Sequence, residues 1–280
     1  MKTILLPTDF SKNSINAINY ALELYRNEAC KFYVLNVQRA STYISDDLMG
    51  VSTSATIYNT IIDAAKKSVT NIISKIKKQY HNEKHEFEAI VDYDNFIDSI
   101  NQVTAKYDID MIVMGTKGAT GLAKVVFGSN TARVMQRCKT PVLAIPDGYT
   151  LSGLKKIAFT TNHITTFNIK QLSVLKEMTA LHHSKLHILH IADKFQEAQK
   201  QLQNMNFFNI YFEEAEHDYI DVKNKDMFKK VHRYLKDNNV EMFVMISERH
   251  SFIERLFTRH ALEKFAFSID VPFLVIHIDN

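Results

Sequence analysis

The chain repeats one strand–helix alternation twice, and this repeat restricts its fold more than any other feature. KTILLP (2–7) reads as an apolar strand opening into Thr8, Asp9 and Ser11, then a helix from about Asn13 to Tyr25. Residues 155–160 open in the same way into Asn162 and His163, then a helix from about Thr166 to Leu181. The strands KFYVLNV (31–37) and KLHILHI (185–191) follow, then strands of mixed alternation near 86–91 and 208–214, then helices near 95–106 and 223–237. The fourth strands align as DMIVMG (110–115) and EMFVMI (241–246), the last as TPVLAIP (140–146) and VPFLVIHI (271–278). Pro141 and Pro272 open the last pair, and proline is tolerated as a strand's first residue. Alternating strands and helices imply parallel strands with crossover helices. The expected fold is α/β, with two tandem doubly wound parallel sheets of five strands each. A turn-rich stretch, DGYTLSGL (147–154), separates the halves and divides the chain into 1–147 and 154–280. A length of 280 residues suits two such domains.

The halves differ most in residues 110–142. Gly115, Gly118 and Gly128 stand there as G-x2-G-x9-G, followed by Ser129. An apolar strand that runs into glycines and then a helix start is how α/β proteins build an anion site. Glycine admits a phosphate close to the backbone, and N–H groups at a helix N-terminus point at it. The spacing is neither that of a P-loop nor that of the dinucleotide fingerprint.

This spacing, with Ser129, the trailing strand PVLAIP (141–146) and the opening ILLPTDFS (4–11), resembles the ATP-binding signature of the universal stress protein family. The resemblance is strong over 1–146 and weaker over 155–278. It implies a strand order of 3-2-1-4-5, with the order reversing between the first and fourth strands, and ligands of open parallel sheets bind at such a reversal. Pro7-Thr8-Asp9 and Met114-Gly115-Thr116 would then meet in one crevice. By resemblance, Asp9 takes a base or ribose donor, or else caps the first helix, a role open equally to Ser11. Val37 packs against adenine or is plain core. Gly115 and Gly118 pass close to ribose and phosphates, and Gly128, Ser129, Asn130 and Thr131 hold the outer phosphates. Lys117 and Lys124 either add charge to the phosphates or face solvent. The cofactor implied is ATP, with or without magnesium.

The second half lacks all three glycines. Ile246, Arg249, Arg259 and His260 stand at the positions of Gly115, Gly118, Gly128 and Ser129, and Asn162 replaces Asp9. That half is expected not to bind ATP in the family manner. Arg249, Arg255 and Arg259 either take another anion or fill the vacated cleft and pair with Glu248 and Glu254. His182, His183, His187 and His190 lack the ligand spacing of zinc sites. His187 and His190, an odd number of positions apart on one strand, point to opposite faces. No metal site is expected.

Other features bound the partners. The net charge of +3 is spread without a basic block, which argues against nucleic acid. No segment approaches bilayer-spanning length, and two cysteines without CxxC spacing suit a reduced, cytoplasmic setting. The stretch 40–56, polar and without periodicity, reads as a lid over the base or as a surface insertion. No catalytic constellation is visible. Three readings remain: an ATP-responsive regulator, a slow ATPase, and an assembly scaffold. In the family resembled, single domains commonly pair through the fifth strand. The two halves are therefore expected to form an intramolecular pseudo-dimer, with a homodimer and an unidentified protein partner left open.

Overall fold

The computed structural model describes residues 1–38, 51–116, 129–161, 167–192, 198–212, 215–221, 227–247 and 270–278. The first half runs β1 (Lys2–Pro7), α1 (Lys12–Leu24), β2 (Cys30–Gln38), α2 (Val51–Tyr80), β3 (His85–Tyr93), α3 (Phe96–Lys106), β4 (Met111–Gly115), α4 (Ser129–Arg137) and β5 (Val142–Ile145). The second runs β6 (Lys156–Thr161), α5 (Ser173–His182), β7 (Lys185–Ala192), α6 (Ala198–Tyr211), β8 (Glu216–Asp221), α7 (Met227–Asp237), β9 (Met242–Ser247) and β10 (Phe273–His277).

The strands order as β3-β2-β1-β4-β5-β10-β9-β6-β7-β8. Each half has the order that the family resemblance implies, 3-2-1-4-5, and all pairs within a half are parallel. The two expected sheets are nevertheless continuous. β5 and β10 pair antiparallel, Val142 opposite Val275 and Ala144 opposite Phe273, so ten strands form one sheet. The apolar fifth strands are thereby covered, since an open apolar edge templates aggregation. Two apolar layers sandwich the sheet. One gathers α1, α2, α5 and α6 residues such as Ile18, Val69, Leu175 and Phe208. The other gathers α3, α4 and α7 residues such as Ile100, Val134 and Val231.

The duplication is visible in individual hydrogen bonds. Asp110, just before β4, accepts the Thr3 N–H at 2.8 Å; Glu241, just before β9, accepts the Lys156 N–H at 3.0 Å. The Pro141 carbonyl accepts from Ile112 N–H and the Pro272 carbonyl from Phe243 N–H. Asp108 and Asn239 both take left-handed backbone, at φ 48 and 50, residue types that tolerate it. Lys31–Glu88 and Lys185–Glu216 tie the second strand to the third in each half.

Three expectations need correction. Residues 208–212 are not a strand: the chain is helical through Tyr211 and the strand lies at Glu216–Asp221, while 213 and 214 lie outside the described residues. The aromatic run FFNIYF alternates enough to suggest a strand. What decides is that Asn204, Phe208 and Phe212 are buried at helical spacing against the sheet. The true strand, EHDYID, is polar because it is the sheet's last strand, and charge on an edge blocks further pairing. Secondly, α5 begins at Ser173, later than the predicted Thr166. Thirdly, α2 begins at Val51, so the backbone of 51–56 is helical rather than loop. Residues 40–50, the rest of that stretch, lie outside the described residues.

Four histidines are held neutral by their surroundings. His85, His182, His187 and His217 have lowered pKa values, in each case mainly because burial disfavours the cation. An unfolded chain protonates near the ordinary value of about 6.5 while the folded one resists. Their contribution to stability is therefore present above about pH 6.5 and is lost as pH falls through it. We predict a lower urea midpoint at pH 5.5 than at pH 7.5. His187→Gln, which removes one of these groups, is expected to shrink that difference. An unchanged midpoint across the range would contradict this account.

Candidate functional site

The carboxyl ends of β1 and β4 lie side by side, with Ile4 opposite Met111 and Leu5 opposite Ile112. From this pair the chain passes outward to β2 and β3 on one side and to β5 on the other, so the order reverses here. Pro7, Thr8 and Asp9 leave one strand; Met114, Gly115 and Thr116 end the other.

The turn after β1 is tightly determined. Thr8 N–H donates to the Leu35 carbonyl at 2.8 Å, carrying the β1–β2 ladder one residue past Pro7. The buried Thr8 hydroxyl accepts the Phe10 N–H at 3.0 Å and shares a hydrogen bond with the Ser14 hydroxyl at 2.9 Å. Ser11 caps α1, accepting the Ser14 N–H at 3.2 Å. Of the two capping roles left open, Ser11 therefore holds the cap. Asp9 forms an Asx turn instead: one carboxylate oxygen accepts the Ser11 N–H at 3.1 Å, and the residue is exposed. Phe10 sits at φ 64, a conformation that costs a bulky residue energy and persists only where its surroundings impose it.

Gly115 has a role that sequence reasoning did not include. A Cβ there would stand 2.5 Å from Asn13 Oδ1 and 3.0 Å from the Asn13 carbonyl oxygen, so the first turn of α1 occupies the space a side chain would need. The Gly115 carbonyl accepts the Thr131 hydroxyl at 2.8 Å, which ties the first turn of α4 to the end of β4. Thr131 is buried and Asn130 half-buried, while Ser129 opens the helix. Thr116 N–H donates to the Ile145 carbonyl at 3.0 Å, but its hydroxyl is buried with no hydrogen-bond partner among the described residues. A buried unpaired hydroxyl is costly, and this one lies where the strand leads into the glycine segment.

Asn36, also missed from sequence, donates to the Thr8 carbonyl at 2.7 Å and accepts from Gln38. An asparagine in an apolar strand, two residues before its end, was the available signal. Val37 is half-buried and packs on the layer containing Leu5 and Met114. The structure thus brings together Pro7, Thr8, Asp9, Met114, Gly115 and Thr116, with Thr131 joined through the Gly115 carbonyl. Gly118, Gly128, Lys117 and Lys124 lie outside the described residues, as do Asn162, Glu248, Arg249, Glu254, Arg255, Arg259 and His260 of the second half.

In the second half Ile246, at the position of Gly115, packs against the apolar layer on the α5 face. The histidines split as their spacing predicts. His187 Nδ1 meets the Tyr234 hydroxyl at 3.0 Å on the α7 side, whereas His190 Nε2 meets His217 Nδ1 at 2.9 Å on the α6 side. Among the described residues no group of three or more His, Cys, Asp or Glu is placed to hold a metal. No helix among them is long and apolar enough to cross a membrane. Burial pushes Cys30 to about 11 and Cys138 to about 12, so neither is a ready thiolate near neutrality.

The sequence model of the universal stress protein family matches residues 1–146, and the chain belongs to that family. The universal stress protein MJ0531 of Methanocaldococcus jannaschii is 26% identical over 144 residues, spanning 51% of this chain and 81% of the relative. MJ0577 of the same organism, also a universal stress protein, is 24% identical over 152 residues, spanning 51% of this chain and 94% of the relative. Over nearly the whole chain, the fold is similar to that of a universal stress protein from Archaeoglobus fulgidus DSM 4304. The TM-score is 0.68 at 18% identity, covering 99% of this chain and 97% of that one.

Proposed function

We propose that residues 1–147 form an ATP-binding universal stress domain, that residues 154–280 form a degenerate copy without nucleotide, and that the protein acts as a nucleotide-responsive regulator in the cytoplasmic stress response. The observation that carries this reading is the spacing G-x2-G-x9-G-S, which starts at the last residue of β4 beside the Thr8–Asp9 turn. Family membership supports it, because members with this motif bind ATP. The roles follow from placement. Asp9 is exposed at the mouth of the β1 turn and suits a base or ribose donor. The N–H groups of Ser129, Asn130 and Thr131 open α4 and suit phosphate oxygens. The Thr116 hydroxyl, without a partner among the described residues, suits a polar atom of the ligand.

Turnover of labelled ATP separates a regulator from a slow ATPase. Direct ATP binding tests the reading. Gly128→Arg, which copies the second half, is expected to abolish binding by blocking approach to the backbone. Asp9→Ala is expected to weaken binding by about tenfold, the loss of one charge-assisted hydrogen bond, without unfolding the protein. Wild-type protein that binds no adenine nucleotide would overturn the proposal.

A further inference from the structure

The helix that carries Ser129, Asn130 and Thr131 is held at its other end by the second half of the chain. His277 Nε2, at the end of β10, donates to the Met135 carbonyl at 2.7 Å. Met135 lies in the last turn of α4, where carbonyls have no partner within the helix and need one from outside. The same helix is buried through Val134 and Met135, with Cys138 just beyond its end, against the layer that includes Phe273 and Val275 of β10. Its opening turn is fixed to β4 by Thr131. The helix therefore spans from the crevice to the β5–β10 seam, with a side-chain hydrogen bond near each end.

Resting on the nucleotide reading above, we propose that His277 is a positioning residue for the ATP site: by capping α4 from the second half, it couples nucleotide occupancy in the first half to the seam between the two. This assigns the degenerate half a task that its missing glycines do not impair. The coupling is reciprocal by linkage, so a nucleotide that orders α4 also tightens the seam, and a loosened seam weakens the nucleotide. The imidazole needs only a proton on Nε2 for this contact, so the neutral side chain suffices.

The test uses the full-length chain with ATP, comparing wild type, His277→Phe and His277→Gln. Phenylalanine keeps a ring and removes the donor, whereas glutamine keeps a donor. His277→Phe is expected to bind ATP about fivefold more weakly, the worth of one ordinary hydrogen bond, with His277→Gln restoring most of the loss. In the wild type, ATP should slow amide exchange both at 130–137 and at 273–278. Equal affinities in all three proteins, or ATP protection that stops at α4, would overturn the coupling while leaving the ATP site standing. A lower thermal midpoint in His277→Phe without an affinity change would show a merely structural cap and likewise overturn it. If wild-type protein binds no ATP at all, the nucleotide reading falls first and the coupling with it.

Discussion

Gly115→Ala should destabilise the protein by about 2 kcal/mol, a typical cost of forcing an extra group into a filled core. At this chain length that corresponds to a fall in the thermal midpoint on the order of 5 °C. The added methyl would meet Asn13 Oδ1 at 2.5 Å, Cγ at 2.8 Å and the Asn13 carbonyl at 3.0 Å. The side-chain atoms can swing aside, but the carbonyl belongs to the first turn of α1, which the Ser11 cap and the Thr8–Ser14 hydrogen bond hold in place. Asn13→Ala removes the two nearest atoms, so Gly115→Ala should cost less in that background, and a double-mutant cycle reads the coupling directly. Thermal denaturation of the four proteins decides the matter. If Gly115→Ala keeps its stability yet loses ATP, the glycine is reserved for the ligand alone and the packing account is wrong.

The first half expressed alone, residues 1–148, should self-associate. All four residues of β5 are fully buried, and their outer edge is closed by antiparallel pairing with Phe273, Leu274 and Val275. Removing the second half exposes that edge as a row of unpaired backbone groups flanked by apolar side chains, which templates pairing with another chain. It also strips Tyr149 from Tyr20 and opens one side of the Leu143 and Ile145 layer. An antiparallel β5–β5 pair would restore what β10 supplies and yield a two-fold dimer. Sedimentation velocity over a concentration series would show a dimer or larger species. A well-behaved monomer at high concentration would mean that β5 does not need its cover.

Much of this arrangement is legible in the sequence because parallel strands buried on both faces are near-continuous apolar runs. ILLP, YVL, MIVM and VLAI leave little choice, and their repetition as IAF, HIL, MFVM and FLVI fixes the pseudo-symmetry. The third strand of the second half escapes this logic. β8 lies at the sheet edge and carries His217, Asp218, Tyr219 and Asp221, so it has no apolar run, while the phenylalanines just before it belong to a helix. The Thr8–Asp9 turn and the end of β4 are also legible, since both stand out as breaks after apolar strands. The supports of that crevice are not. Asn13 under Gly115, Asn36 on the Thr8 carbonyl and His277 on α4 act across sequence separations of 102, 28 and 142 residues, and nothing local marks them as partners.

On the proposed function, one half of a duplicated chain keeps the nucleotide site and the other has lost it. Isothermal titration of the purified, nucleotide-stripped protein with ATP tests it most directly. One nucleotide per chain is expected, and none for Gly128→Arg. Two equivalent sites per chain, or heat of binding that survives Gly128→Arg unchanged, would contradict it.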